Sequence, residues 1–214
     1  FSEWEKYHLY AALAYIEHKH FQAALDVCEA YLTDELRESS AMDLWVKRQK
    51  AKALFHLGKR VEALALYRDL LADKKEIYLY YETAYILFHL DKVDEAIAHA
   101  ARALLLRQQL SFKVSPIQLM AKLLVNVDPV SAHLHTHLLY KIREENGWKI
   151  TNALQQDWAR VPDEVRAFSA VQTERKLKPL WEKLCWQGHE RQEGWVQKLL
   201  EHGKAGFLQG KDGQ

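Results

Sequence analysis

The feature that most constrains this chain is a small-residue pattern that recurs three times. Segments 11–32, 50–71 and 83–104 each carry two alanines twelve residues apart, with a short polar turn between them. Two antiparallel helices approach closely only where small side chains face each other, so the spacing predicts a helical hairpin in each segment. The alanine pairs are Ala12 and Ala24, Ala51 and Ala63, and Ala84 and Ala96.

The pattern resembles the tetratricopeptide repeat (TPR), and Asp94-Glu95-Ala96-Ile97 is the closest match to that family's consensus. The repeat starts differ by 39 and 33 residues, against about 34 in the family. The resemblance implies an all-α solenoid, a right-handed stack of hairpins with a concave groove, and covers three repeats over 4–108. The resemblance predicts the fold and indicates almost nothing about chemical activity.

A fourth, degenerate helical hairpin is expected over 112–146. Residues 116–126 have a helical pattern, and Asp128 followed by Pro129 is typical of a helix start. Ala132 then occupies the small-residue position of the second helix. The solenoid is therefore predicted to contain three to four hairpins.

Residues 147–190 are helical in pattern without repeating, and they are predicted to form a helical cap. Open solenoids need such a cap to cover the last apolar face. Pro162 is expected to open a helix through Leu177, which Pro179 kinks or restarts. Most of the chain's seven tryptophans lie in or just after this region, namely Trp148, Trp158, Trp181, Trp186 and Trp195.

Residues 191–214 predict the start of a small β module, with strands near 194–200 and 205–209. The string GKAGFLQGKDG resembles the first hairpin of a cold-shock-type OB fold, which implies nucleic-acid contacts by Lys198, Lys204 and Phe207. Two base-stacking aromatics of that motif are replaced, by Ala205 and by Lys198 itself. An OB barrel needs five strands, so this module would be truncated.

Composition narrows the function classes. Thirty basic and 29 acidic residues nearly balance, which excludes a strongly basic protein that coats duplex nucleic acid. Eight glycines and four prolines are too few for an all-β protein with many tight turns. The cysteines, Cys28 and Cys185, are far apart, which favours two buried, inert thiols in a reducing, cytoplasmic compartment. No apolar run reaches the length of a membrane helix, so no membrane partner is expected.

No familiar catalytic or cofactor motif occurs, so we expect neither an enzyme nor a cofactor. The weak candidate for a metal site is His133 with His137, which share a helix face at i and i+4. A third ligand at a suitable spacing is missing from the sequence nearby. The alternative is an ordinary polar helix face.

The concave groove carries the candidate binding residues. Between Asp43 and Glu62 there are six basic residues and no acid, and the helix of the third repeat carries a tyrosine stripe. These two stripes predict a site for an acidic or aromatic peptide, or equally for single-stranded nucleic acid through phosphate contacts and stacking. Aromatics at helical spacing also commonly pack between repeats. By analogy with the family, the groove residues are Trp45, Arg48, Lys52, Phe55, His56, Tyr78, Tyr81, Tyr85 and His89.

Two functions remain open. The first is a non-catalytic scaffold that binds a peptide or disordered segment of a protein partner in the groove. It is not a receptor of the carboxylate-clamp type, because Tyr78 and Glu82 stand where that clamp has Lys and Arg. The second is RNA or single-stranded nucleic-acid binding, with the repeats positioning an OB-like module that continues beyond the chain end; this architecture resembles parts of bacterial stress or conflict systems. The mildly basic C-terminal part, with 15 basic and 12 acidic residues in 111–214, favours it.

Overall fold

The computed structural model of the chain describes residues 1–34, 40–186, 194–199 and 206–210. Helices dominate it, with one 3-10 turn (Leu110–Lys113) and two short strands near the end. The helices are α1 (Glu3–Glu17), α2 (Phe21–Thr33), α3 (Met42–His56), α4 (Arg60–Asp73), α5 (Ile77–Phe88), α6 (Val93–Leu105), α7 (Val114–Leu124), α8 (Pro129–Glu145), α9 (Asn152–Ala159), α10 (Asp163–Arg166) and α11 (Ala170–Leu184). The strands are β1 (Gly194–Leu199) and β2 (Gly206–Gly210).

The first six helices form three hairpins, and the predicted alanine contacts hold them together. Each helix packs against the next one along the chain, and α1 also packs against α3. All six alanines of the sequence pattern are completely buried. The close approach of two backbones at these positions leaves no room for a larger side chain, which confirms the stack of α-hairpins.

The three hairpins share the same turn. Lys19, Gly58 and Asp91 occupy equivalent positions, and their φ angles are 61°, 83° and 58°. In each turn the next N–H donates to a carbonyl five residues back, from His20 to Tyr15, from Lys59 to Leu54 and from Lys92 to Leu87, at 2.8, 2.9 and 3.0 Å. A left-handed residue after a helix lets the chain reverse, and glycine suits it best. The backbone therefore repeats even where the turn sequence does not.

The expected fourth hairpin is present as α7 and α8. Asp128 caps α8 by accepting a hydrogen bond from the backbone N–H of Ser131, at 3.1 Å, and Pro129 lies in the first turn. Ala132 is buried. The helix start predicted from Asp128 and Pro129 is confirmed.

The cap differs from its prediction in one respect. Instead of one helix from Pro162 onward, the chain makes the short α10 and then a separate α11. Ser169 starts α11, because its hydroxyl accepts from Gln172 N–H while the Gln172 side chain accepts from Ser169 N–H. This capping box begins a new helix where the sequence reading continued the old one. Pro179 lies inside α11, which continues past it to Leu184.

Helix α11 runs over α6 and α8, and two buried histidines of α8 hold the cap in place. The indole N–H of Trp181 donates to His135 Nε2 at 2.8 Å, and that of Trp158 donates to His137 Nδ1 at 3.1 Å. Trp181 is buried, whereas Trp186 is 70% exposed. The covering role predicted for the tryptophans therefore falls to some of them and not to all.

The expected β hairpin is also present. Strands β1 and β2 are antiparallel, with Gly194 opposite Gly210 and Lys198 opposite Phe207, and an irregularity interrupts the register between Val196 and Lys198. Lys204 lies outside the described residues. In the described part of the chain the sheet has two strands, so the OB-fold resemblance has no support beyond the hairpin. No helix in that part is both long and apolar enough to cross a membrane.

Candidate functional site

Helices α3 and α5 face each other across a cleft of about 280 Å³, where the sequence placed the groove. Helix α1 contributes Ile16 to its wall and α4 contributes Tyr67. The predicted groove residues that line the cleft are Lys52, Phe55, His56, Tyr81 and Tyr85.

One end of the cleft is aromatic. The Phe55 ring lies 5.5 Å from Tyr85 and 5.3 Å from His89, and the Tyr85 and His89 rings are 4.6 Å apart in an edge-on contact. Tyr81 extends the cluster at 6.2 Å from Tyr85. Tyr85 remains 38% exposed. The rings thus stabilise one another and still present apolar surface to the cleft.

Two further groove aromatics pack beside the cleft. Trp45 stacks on Tyr78 with ring centroids 5.6 Å apart, and the Arg48 guanidinium lies 4.4 Å from the Tyr78 centroid. Trp45 is 37% exposed. A cation over an aromatic face is attracted by the ring electrons, so these contacts link α3 to α5.

Glu82 is the centre of the site, and the sequence reading did not select it as a binding residue. Arg48 donates two hydrogen bonds to its carboxylate, at 2.7 and 2.6 Å, and Lys52 lies 3.1 Å from it. The Tyr67 hydroxyl donates to the same group at 3.0 Å. Glu82 is the sole acid of α5 and faces the basic stripe of α3, which was the signal that could have revealed it.

Burial and the contacts with Glu82 shift the pKa values of Tyr67 and Arg48. Burial raises the pKa of Tyr67 well above 10, and the charge of Glu82 raises it further, so the phenol stays protonated and donates. Burial alone would lower the pKa of Arg48, but its hydrogen bonds and charge interaction with Glu82 raise it overall. Arg48 and Lys52 therefore share one carboxylate, and the basic stripe is partly neutralised.

His56 belongs to the wall of the cleft. Its ring stacks on Phe21 of α2, with centroids 4.3 Å apart and planes 8° from parallel. Burial, and then the charge of Lys52, lower the pKa of His56, which keeps the ring neutral at pH 7. A neutral ring packs more readily against an apolar ligand than a charged one does.

The candidate metal pair is not brought together as a site. His137 is buried, with Nε2 donating to the Phe168 carbonyl at 2.8 Å and Nδ1 accepting from Trp158, so both ring nitrogens are occupied. His133 lies instead on the wall of another cavity. No group of three or more His, Cys, Asp or Glu side chains suited to a metal occurs within the described ranges.

Both thiols lie where the sequence placed them, in apolar surroundings. Cys28 is completely buried, and burial raises its pKa to about 12. Cys185 is buried at the end of α11, and burial raises its pKa as well. Thiols held protonated at neutral pH are poor nucleophiles, so the packing role predicted for them is supported.

The fold and its concave face define a TPR-like α-solenoid. Two crystal structures of the nearly identical TPR-like repeats of a kinesin light chain-like protein from Podosopora anserina share the architecture. One, of a form with a single substitution, matches with a TM-score of 0.58 at 16% identity, over 87% of this chain and 97% of that chain. The other matches with a TM-score of 0.56 at 16% identity, over 89% and 100%. At this identity the likeness establishes the fold alone.

The chain belongs to the family described as "Domain of unknown function (DUF7017)", whose profile matches residues 44–173. The matched span begins in α3 and ends in α11, so it contains the cleft helices α3 and α5 and most of the cap. No curated protein matches the chain.

Proposed function

We propose that this chain is a non-catalytic interaction scaffold that binds a peptide or disordered segment of a protein partner in the groove between α3 and α5. TPR-like solenoids are typical protein-binding folds, because their stacked hairpins leave an extended concave face open. The observation that carries the proposal is the half-open aromatic cleft formed by Phe55, Tyr81 and Tyr85.

The cleft suits one anchoring side chain. Rings that are partly exposed and already held by their neighbours lose little conformational entropy when a ligand covers them. A cavity of about 280 Å³ with aromatic walls accommodates an aromatic or large aliphatic side chain. Tyrosine and tryptophan are also the residues that most often dominate binding energy at interfaces. The anchor supplies most of the affinity in this proposal.

The ion cluster adds a weaker preference for acidic partners than the sequence alone indicated. Arg48 donates from Nε and Nη2 to the two carboxylate oxygens of Glu82, while the Lys52 ammonium makes a single contact to the same carboxylate. The trio carries one net positive charge beside the cleft. A carboxylate next to the anchor would therefore interact with Lys52 most favourably. Trp45, Tyr78 and His89 extend the contact surface.

Peptide selection from a random library against the whole chain tests this function. We expect the selected peptides to share an aromatic or large aliphatic residue and to lose roughly 30-fold or more in affinity for Tyr85→Ala, as expected for an interface anchor. Tyr80→Ala is the matched control, since Tyr80 lies on the same helix and contacts His99 instead of the cleft. Peptides that bind Tyr85→Ala and Phe55→Ala as tightly as wild type would reject the groove.

Nucleic-acid binding is the second candidate, favoured by the hairpin that forms where the cold-shock resemblance predicts one. Phosphate contacts by Lys198 and Lys204 would be sensitive to salt, because phosphate binding releases counterions, whereas Phe207 would stack on a base. Fluorescence titration with a single-stranded oligonucleotide at two salt concentrations measures this. Absence of binding at low salt would remove the candidate.

A further inference from the structure

A second cavity, of about 470 Å³, lies between α7, α8 and α9, away from the aromatic groove. Helix α7 contributes Lys122 to its wall, and α8 contributes Arg143. Thr151, which caps the start of α9, and Arg160, which follows its end, lie on the opposite side. The cavity therefore forms at the junction of the last hairpin, α7 and α8, with the first helix of the cap.

The cavity exists because the cap helix is short. In the first hairpins, a helix of 15 residues, α3, packs against both α1 and α2 of the preceding hairpin. Helix α9 follows the last hairpin in the same order but has eight residues, and it packs mainly against α8. Val125, at the end of α7 on the cavity wall, remains 54% exposed. The last hairpin is thus left partly uncovered.

Three Lys and Arg side chains line this cavity. Lys122, Arg143 and Arg160 come from or follow three different helices, and among the described residues of the wall Asp157 alone is a carboxylate. Asp157 is 3.6 Å from Arg160, and both side chains are more than half exposed. Arg143 donates to the Lys149 carbonyl at 3.0 Å. Over the described ranges no carboxylate pairs with Lys122 or Arg143, in contrast to the basic residues of the groove.

The inner wall is aliphatic. Ala132, Leu139 and Leu154 line the cavity and are themselves 5%, 4% and 9% exposed. Thr136 and Gln118 add polar groups to the wall. A wall that combines buried aliphatic side chains with cationic ones matches a ligand with an aliphatic body and an anionic end.

We propose that this cavity binds a small amphiphilic anion, with Lys122 and Arg143 as the side chains that recognise a carboxylate or phosphate group and Leu139 and Leu154 in contact with a short aliphatic body. Arg and Lys are the side chains that recognise such anionic groups, and apolar contact supplies the remainder of the affinity. The site is independent of the peptide groove and its occupancy does not rest on the proposed scaffold function.

Four probes separate the two parts of the ligand when they are titrated into the whole chain by calorimetry. Hexanoate and hexyl phosphate carry both parts, hexanol lacks the charge and inorganic phosphate lacks the body. We expect the first two to bind, with hexyl phosphate the tighter because of its larger charge, and the last two to bind at least about tenfold more weakly. Amide chemical shifts should change in α7, α8 and α9.

Variants locate the site. Lys122→Gln and Arg143→Gln should each weaken hexanoate about tenfold, the size expected for one lost charge-assisted hydrogen bond. Lys141→Gln is the matched control, because Lys141 lies on α8, pairs with Glu144 and is absent from the cavity wall. Ala153→Phe, a change at an exposed residue of α9 on the wall, should block the aliphatic body without disturbing the core. Unfolding midpoints of the four variants verify that each is folded.

Several results would overturn the proposal. These are no binding of hexanoate and hexyl phosphate at millimolar concentration, equal affinity for hexanol, or equal affinity for inorganic phosphate and hexyl phosphate. Unchanged binding by folded Lys122→Gln and Arg143→Gln would do the same. So would shift changes centred on Phe55 and Tyr85, because the anion would then occupy the groove instead.

Discussion

The groove and the cap join helices by opposite electrostatic means. In the groove, the partly exposed carboxylate of Glu82 holds Arg48 and Lys52. In the cap, the buried and neutral His135 and His137 accept hydrogen bonds from Trp181 and Trp158. The groove charges keep part of their contact with water, most of it at Lys52, whereas the buried neutral groups of the cap must satisfy one another completely. The groove therefore keeps partly hydrated charged groups at its surface, and the cap closes the end of the solenoid with neutral hydrogen bonds.

Burial and the hydrogen bonds accepted from tryptophan keep the rings of His135 and His137 in their neutral form. His135 donates from Nδ1 to the Ser131 carbonyl at 2.7 Å and accepts at Nε2 from Trp181, which assigns its tautomer. Burial lowers the pKa of His135 to about 4, and burial also lowers the pKa of His137. A proton on either accepting nitrogen would remove the acceptor for its tryptophan.

The largest expected effect comes from removing the buried tryptophan of the cap. Trp181→Ala should lower the free energy of unfolding by about 3–5 kcal/mol, because it leaves a large cavity and an unpaired nitrogen on His135. Trp186→Ala is the control, since Trp186 is 70% exposed and should change stability by less than about 0.5 kcal/mol. Urea unfolding measures both. Similar values for the two variants would show that the cap does not depend on the buried indole.

Acidification tests whether the buried His135 ring is neutral. Below pH 6.5 an unfolded chain protonates His135, whereas the folded chain leaves it neutral until about pH 4. Stability should therefore fall as the pH is lowered through this window, by about 1.4 kcal/mol per pH unit and by about 3 kcal/mol in all.

Asp128, whose charge interacts with His135, has a lowered pKa because it accepts hydrogen bonds from Ser131. Its own contribution to stability is therefore lost at lower pH. Urea unfolding between pH 7 and pH 4.5 measures the slope. A His135→Gln variant, which has no titrating ring, should show a shallower dependence. A wild-type slope that is equally shallow would contradict a buried neutral His135.

The smallest expected effect concerns the groove. Glu82→Gln should destabilise the chain by about 2 kcal/mol, since Arg48 and Lys52 lose their carboxylate while Arg48 stays largely covered. Glu95→Gln provides the comparison, because its pairs with Arg68 and Lys92 are more exposed and worth less than about 1 kcal/mol. Thermal and urea unfolding at low and high salt measure both. Equal losses would mean that burial of the groove cluster adds nothing.

The sequence predicted the repeat, and the reason is local. A small residue at each helix crossing, followed by a polar turn, produces a repeating pattern in the sequence. The hairpins, the Asp128 cap and the groove-facing stripes of α3 and α5 could therefore be predicted. The break between α10 and α11 was missed because Phe168 and Val171 continue a helical pattern across the Ser169 cap. Whether the groove residues bind a partner stays a prediction.

By itself, then, the sequence determined the α-hairpin architecture, because alanine spacing and turn position act through neighbouring residues. The tertiary structure alone decided which polar groups meet. Glu82 is 34 residues from Arg48, and Trp181 is 46 residues from His135. Contacts over such distances depend on how successive hairpins stack, and no local period in the sequence records that packing.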